Sequence, residues 1–230
     1  MNITKHIPNF ITCLNLVAGC IACIAALRGD MESSLQWIVL GAGFDFLDGL
    51  MARVLKAYSE IGKELDSLAD VVCFGVAPSM MVFALLQQLC PPVGAASLLP
   101  YAAFVIASLS AVRLAKFNLD TRQTTSFIGL PVPAHALFWA PLTVVLSETL
   151  TQPSVALAAA VASLAILSSA LLVSEIRMFS LKIKSLAWKG NELRYVLVAA
   201  AILLTASFGY MGVSGSILLY IALSLLSKKA

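Results

Sequence analysis

Residues 35–89 read LQWIVLGAGFDFLDGLMARVLKAYSEIGKELDSLADVVCFGVAPSMMVFALLQQL. Two apolar stretches, 35–57 and 65–89, flank a short polar turn that contains Ser59, Glu60, Gly62 and Lys63. A helix needs about 20 mostly apolar residues, at about 1.5 Å of rise each, to cross a bilayer. Both stretches reach that length, so this segment predicts a membrane hairpin. Four aspartates, Asp45, Asp48, Asp66 and Asp70, fall in or at the ends of its two arms. An aspartate at the centre of a membrane helix costs about 2.5 to 3.5 kcal/mol on insertion scales, so four deep, unpaired ones would cost on the order of 10 kcal/mol. Something in the fold must offset that cost.

Outward from the hairpin, six more apolar runs appear, at 7–27, 96–117, 132–150, 155–173, 193–210 and 212–226. The final pair is separated by little more than residues 209–212, which requires a tight hairpin if eight spans rather than seven are to form. The run at 7–27 is longer than the roughly 7 to 15 apolar residues of a signal-peptide core, which predicts a retained helix. The expected fold is an all-α, polytopic membrane bundle of about eight helices. It is read as one membrane domain over 1–230, with a catalytic core at about 1–190 and the last two helices at 191–230. The 230 residues are 60% hydrophobic and 12% charged, against roughly 25% charged in a soluble domain. A soluble globule is excluded, and so is disorder, which has the opposite composition.

Charge placement supports the order of turns. With the amino terminus inside, every Lys and Arg except Arg28 falls on an inner segment or helix end, as expected for cytoplasmic loops. Both termini are therefore expected in the cytoplasm of a multi-pass protein of the cell (inner) membrane. The net charge of +3 is accounted for by a basic rim facing anionic lipid headgroups, without nucleic acid. Cys13, Cys20, Cys23, Cys73 and Cys90 lie mostly in apolar runs, where Cys packs as a small hydrophobe. No disulfide is expected, and Cys20 with Cys23 lacks the second pair of a metal motif. His6 and His135 are read as interfacial or core residues.

The aspartates pair by helical geometry. Asp45 and Asp48 stand about 60° apart around one axis and Asp66 and Asp70 about 40° apart around the other, so each pair shares a face. Counted from Lys56 and Lys63, Asp48 lies about 12 Å and Asp70 about 10 Å along its helix. Carboxylates converging at one depth repel one another unless a cation sits among them. An all-oxygen donor set suits Mg²⁺, Mn²⁺ or Ca²⁺ and disfavours zinc. Such an ion keeps positions for phosphate oxygens, so a phosphorylated ligand reached from the cytoplasmic leaflet is expected. Gly49 and Ala52 on the same helix clear space beside the acids, as small residues also do in plain helix packing.

Asp45, Asp48, Gly49, Ala52, Arg53, Gly62, Asp66 and Asp70 together spell D-x-x-D-G-x-x-A-R-x8-G-x-x-x-D-x-x-x-D. This pattern, without departures, resembles the CDP-alcohol phosphotransferase family, integral membrane enzymes that displace CMP from a CDP-linked donor with an alcohol. Residues 7–19 (IPNFITCLNLVAG), 113–118 (RLAKFN), 127–133 (FIGLPVP) and 174–182 (SEIRMFSLK) resemble the membrane-integral phosphatidylserine synthase branch of that family.

The resemblance implies that Asp45, Asp48 and Asp66 are metal ligands, and that Asp70 is the general base, near or on a second metal. It implies that Gly49, Ala52, Arg53, Ser59 and Gly62 contact the CDP moiety of CDP-diacylglycerol, with Asn9 and Thr12 nearby. It also implies a homodimer, Mg²⁺ or Mn²⁺ as cofactor, and a cleft open to the inner leaflet and its lipids. Arg113, Lys116 and Asn118 are acceptor candidates, Arg113 being suited to bidentate recognition of a carboxylate. Spacing alone reads them equally as inside-positive anchors; only the branch resemblance raises L-serine above glycerol 3-phosphate or inositol. Buried acids also mark ion pathways, so an ion-coupled transporter is the reading from another functional class.

Overall fold

A computed structural model of the chain describes residues 6–120, 127–179, 188 and 191–226. The described residues form α1 (Ile7–Leu27), α2 (Met31–Val54), α3 (Glu60–Asp70) and α4 (Ala77–Leu89), then α5 (Phe104–Leu119), α6 (Val132–Thr149), α7 (Val155–Ala170), α8 (Glu192–Phe208) and α9 (Tyr210–Leu226). A π-helical segment, Val71–Val76, joins α3 to α4 without a break, giving a rod over Glu60–Leu89 of 30 residues. A 3₁₀ segment, Ala95–Ala103, leads into α5, and another, Leu171–Val173, extends α7. Five helical rods are long and apolar enough to cross a membrane: Ile7–Leu27, Met31–Val54, Glu60–Leu89, Ala95–Leu119 and Val155–Val173. The apolar helices α6, α8 and α9 complete the all-α bundle, at 18, 17 and 17 residues.

Local chemistry explains where the helices begin. Asp30 caps α2, accepting the Ser33 N–H at 3.0 Å, and hydrogen bonding from Ser33, first its hydroxyl and then its N–H, holds the carboxyl below the usual carboxylate range. Ser59 caps α3 through the Gly62 N–H at 3.1 Å. Two boundaries therefore differ from the sequence expectation, which counted only apolar residues. The second span starts at Met31 rather than 35, and the third at Glu60 rather than 65, because capped polar turns extend each helix into water. The last hairpin is tighter than expected: Gly209 alone, at φ 56°, separates α8 from α9.

Large apolar side chains such as Phe10, Phe46, Leu68, Ile202 and Leu203 are exposed on the outside of the bundle, as expected where lipid is the solvent. Inside, one apolar cluster gathers Ala22, Ile38, Phe74, Met81 and Leu172, and another gathers Leu85, Leu89, Ile106, Trp139 and Ala162. Close backbone approach is decisive at Gly19. A Cβ there would lie 2.7 Å from the Cys73 Cα, so only glycine lets α1 touch the π-helical segment. All five cysteines are free, with Cys73 and Cys90 buried. His135 is fully buried, its Nε2 3.1 Å from the Ser168 hydroxyl.

The all-α expectation has one small exception, a two-residue antiparallel ladder between β1 (Phe127–Ile128) and β2 (Arg177–Met178). It clips the end of the α7 rod to the turn entering α6. Helix α9 is part of the bundle: Ser214 donates to the Phe138 carbonyl at 2.9 Å, and buried Tyr220 to the Phe179 carbonyl at 3.0 Å. Helix α8 lies further out, with only Leu197 of its residues buried. The polar loop at 121–126, and Lys182 and Lys184, lie outside the described residues.

Candidate active site

The hairpin brings its acids together. Asp45, Asp48 and Asp66 each offer an oxygen, and these three oxygens lie within 4.8 Å of one another. Asp48 is buried and Asp45 and Asp66 half-buried. Asp70, 8% exposed, sits one turn beyond Asp66, within electrostatic reach of Asp45 and Asp66. Helix α1 supplies the polar contacts that hold them. The Thr12 hydroxyl donates to Asp48 Oδ2 at 2.6 Å, with the Pro8 carbonyl as its other acceptor at 3.0 Å. The Asn15 amide donates to Asp70 Oδ1 at 3.3 Å.

These residues fit a divalent cation. The buried Asp66 Oδ1 has no hydrogen-bond partner among the described residues, and a buried acceptor left without a donor is costly. The set is all oxygen, as Mg²⁺ and Mn²⁺ require. Asp45, Asp48 and Asp66 are the residues that would hold the ion.

Beside the acids opens a cleft whose walls include Asn9, Thr12, Gly49, Ala52, Ser59 and Gly62, with Asp48 and Asp66 at one side. Gly62 is needed for this packing, since a Cβ there would lie 2.9 Å from the Ser59 Oγ and 3.0 Å from the Asn9 Oδ1. Arg53 is not part of the lining; its Nε donates to the Gly49 carbonyl at 2.9 Å, folding the side chain along its own helix. Tyr58 and Lys63 also line the cleft. The sequence reading named Lys63 in the polar turn without giving it a place in the site and did not name Tyr58, although position in that turn was the available signal.

A second cavity opens between the end of α5, β1 and the end of the α7 rod. Arg113, Lys116, Ile128, Ser174 and Glu175 line it. Arg113 is 6% exposed, stacks over Phe117 at 5.0 Å from the ring centroid, and interacts electrostatically with Asp70 and with Tyr220 of α9. One guanidinium thus connects this cavity to the acid cluster. The structure separates Asn118 from these two. Its amide donates to Ser67 Oγ at 2.9 Å and Glu64 Oε2 at 3.4 Å, while Lys63 Nζ donates to its carbonyl at 3.0 Å. Asn118 ties α5 to α3 and is not among the residues lining the cavity.

The chain matches a family model described as CDP-alcohol phosphatidyltransferase over residues 5–171. It is 38% identical over 129 residues to a CDP-diacylglycerol–serine O-phosphatidyltransferase of Bacillus subtilis (strain 168), covering 56% of this chain and 70% of that protein. Proteins of the same name from Mycobacterium tuberculosis (strain ATCC 25618 / H37Rv) and Saccharomyces cerevisiae (strain ATCC 204508 / S288c) are 36% identical over 138 residues and 37% identical over 144. Those two matches cover 57% and 56% of this chain and 46% and 50% of the relatives, so the chain spans about half their length.

Proposed function

We propose, for a chain that belongs to the CDP-alcohol phosphatidyltransferase family, that it transfers the phosphatidyl group of CDP-diacylglycerol to L-serine, giving phosphatidylserine and CMP. The observation that carries this reading is the triad of aspartate oxygens within 4.8 Å of one another at the wall of the cleft. Asp45, Asp48 and Asp66 would hold a divalent ion, which would supply charge neutralisation for the donor's pyrophosphate and for departing CMP.

The chain's own residues do the rest. Asn9 of α1, with Ser59 and Gly62 at the start of α3, forms a polar wall that fits a nucleotide. The amino-terminal end of α3 favours its phosphate charge. Arg53 adds fixed positive charge at the rim. Arg113 and Lys116 hold the acceptor's carboxylate, and the electrostatic link from Arg113 to Asp70 supports that placement. Asp70 takes the proton of the acceptor hydroxyl as its oxygen attacks the phosphorus bearing the diacylglycerol, and the bond from that phosphorus to CMP breaks. The protein is multi-pass. We read it as seated in the inner membrane with both termini in the cytoplasm, and the family resemblance supports a homodimer. A membrane-impermeant thiol reagent would then label a cysteine at Val93 in intact cells and spare one at Tyr58.

An acceptor panel tests the function. Purified protein with CDP-diacylglycerol and Mg²⁺ or Mn²⁺ is offered labelled serine, glycerol 3-phosphate or inositol. Release of CMP that requires both the metal and serine is expected. Release driven by another alcohol instead would overturn serine while leaving the family chemistry intact.

A further inference from the structure

Asn15 is fully buried in the middle of α1, on a helix that otherwise presents mostly small apolar residues to the bundle. A buried amide is costly unless its polar atoms are bonded. Here only half of it is. Nδ2 donates to Asp70 Oδ1 at 3.3 Å, and Oδ1 has no partner among the described residues. Helix packing alone would be served better by leucine or alanine at this position, so the hydrogen bond to Asp70 is the contact that accounts for an asparagine.

The slot around the amide is built to fix its direction. A Cβ on Gly41 of α2 would lie 2.9 Å from the Asn15 Oδ1 and collide with the Cys73 Sγ. The absence of a side chain at 41 lets the amide lie against α2 with its oxygen toward that helix. An ionised carboxylate can only accept, so the NH₂ end is the end that must face Asp70. Asp70 is itself the last residue before the π-helical segment, a helical irregularity that recurs at functional sites. A contact from a neighbouring helix is what such a side chain needs to keep one rotamer.

We infer that Asn15 is a positioning residue for the transfer reaction: it engages Oδ1 of Asp70 and so presents Oδ2 to the acceptor hydroxyl. The inference rests on the reading of Asp70 as the base. Asn15 is not among the residues lining either cavity, and its one side-chain hydrogen bond among the described residues goes to Asp70, so its effect is expected in turnover rather than in donor binding.

The test uses purified full-length protein in lipid nanodiscs with CDP-diacylglycerol, serine and Mg²⁺. It compares Asn15→Leu, Asn15→Ala, Asp70→Asn and the pair Asn15→Ala with Asp70→Asn. Measured are kcat, KM for CDP-diacylglycerol, affinity for CDP by calorimetry, and thermal midpoint. Both Asn15 variants should lose about 10- to 100-fold in kcat, the range seen when a residue orienting a functional ligand is removed. KM and CDP affinity should stay within about twofold, the range of context error on such effects. Because the two residues act as one unit, the pair should be no slower than Asp70→Asn alone. Should Asn15→Leu fail to fold, Asn15→Ala, which adds no bulk, carries the test.

A kcat within about twofold of wild type in Asn15→Ala, with Asp70→Asn impaired, overturns this inference and leaves the base standing. Loss of CDP affinity and of thermal midpoint in step with kcat overturns it too, since that marks a packing role. Unimpaired turnover by Asp70→Asn removes the base reading, and this inference with it.

Discussion

Thr12 and Asn15 stand one helical turn apart on α1 and each donates to a different carboxylate, Asp48 and Asp70. With Pro8 and Gly19 they form a stripe at helical spacing down an apolar helix, and that stripe was the signal in the sequence for a helix that serves the acids. The four aspartates were legible because acids inside apolar runs are costly enough to need a reason. A lone asparagine in an apolar helix gives the sequence no such signal; on this helix the resemblance implied Asn9 and Thr12 only, and Asn15 was missed. Thr12→Val keeps the shape and removes the donor, so metal-dependent CDP affinity should fall about 10- to 100-fold, as is usual when a ligand's supporting hydrogen bond is lost. Calorimetry in Mg²⁺ reads this directly.

Asn118 makes the opposite point. Its place in RLAKFN grouped it with Arg113 and Lys116, yet residues five apart on a helix point in different directions, and Asn118 faces Ser67 and Glu64 instead of the cavity. Asn118→Ala should lower stability by about 1 kcal/mol and leave KM for serine unchanged. Arg113→Lys, which gives up a planar fork for a point charge, should raise that KM. Serine titrations of the two variants separate them.

Among the elements, the rod over Glu60–Leu89 does the most to shape the site. Its π-helical segment lies between the acids and the buried α4 anchor. One extra residue per turn rotates what precedes it by about 100° relative to a continuous α-helix, and apolar periodicity gives no warning of such a step. The sequence nevertheless carried its packing partners as small residues. Gly19→Ala should push α1 off Cys73 and cost about 1 to 3 kcal/mol, the usual price of overpacking, seen as a lower thermal midpoint. Gly43 of α2 has open space around its Cβ position, so Gly43→Ala should be neutral or slightly stabilising. Helix boundaries were less legible than helix existence, because Asp30 and Ser59 start helices in polar sequence where no apolar run has begun.

Over the whole molecule, charge asymmetry and apolar run length were enough to read the membrane bundle, since both follow from lipid as solvent. The role of the last two helices was not legible. Their sequence is mostly apolar, and nothing in it says that Tyr220 of α9 reaches into the bundle beside Arg113 while α8 stays outside. The cavity proposed for the acceptor is lined from α5, β1 and the end of the α7 rod, and Arg113 links it electrostatically to Tyr220 of α9. The cleft proposed for the donor is lined, among the described residues, from α1, α2, α3 and the turn between α2 and α3. These halves meet at Asp70.

That arrangement makes the grip of the aspartates on a divalent ion the point on which the donor half depends. Mn²⁺ binding, followed by electron paramagnetic resonance on purified protein with and without CDP-diacylglycerol, probes it without requiring turnover. Wild-type protein should capture Mn²⁺ more tightly when the CDP-lipid is present, and Asp66→Asn should weaken that capture by about 100-fold or more. Equal capture by wild-type protein and by a variant lacking Asp45, Asp48 and Asp66, or capture indifferent to the CDP-lipid, would contradict the account.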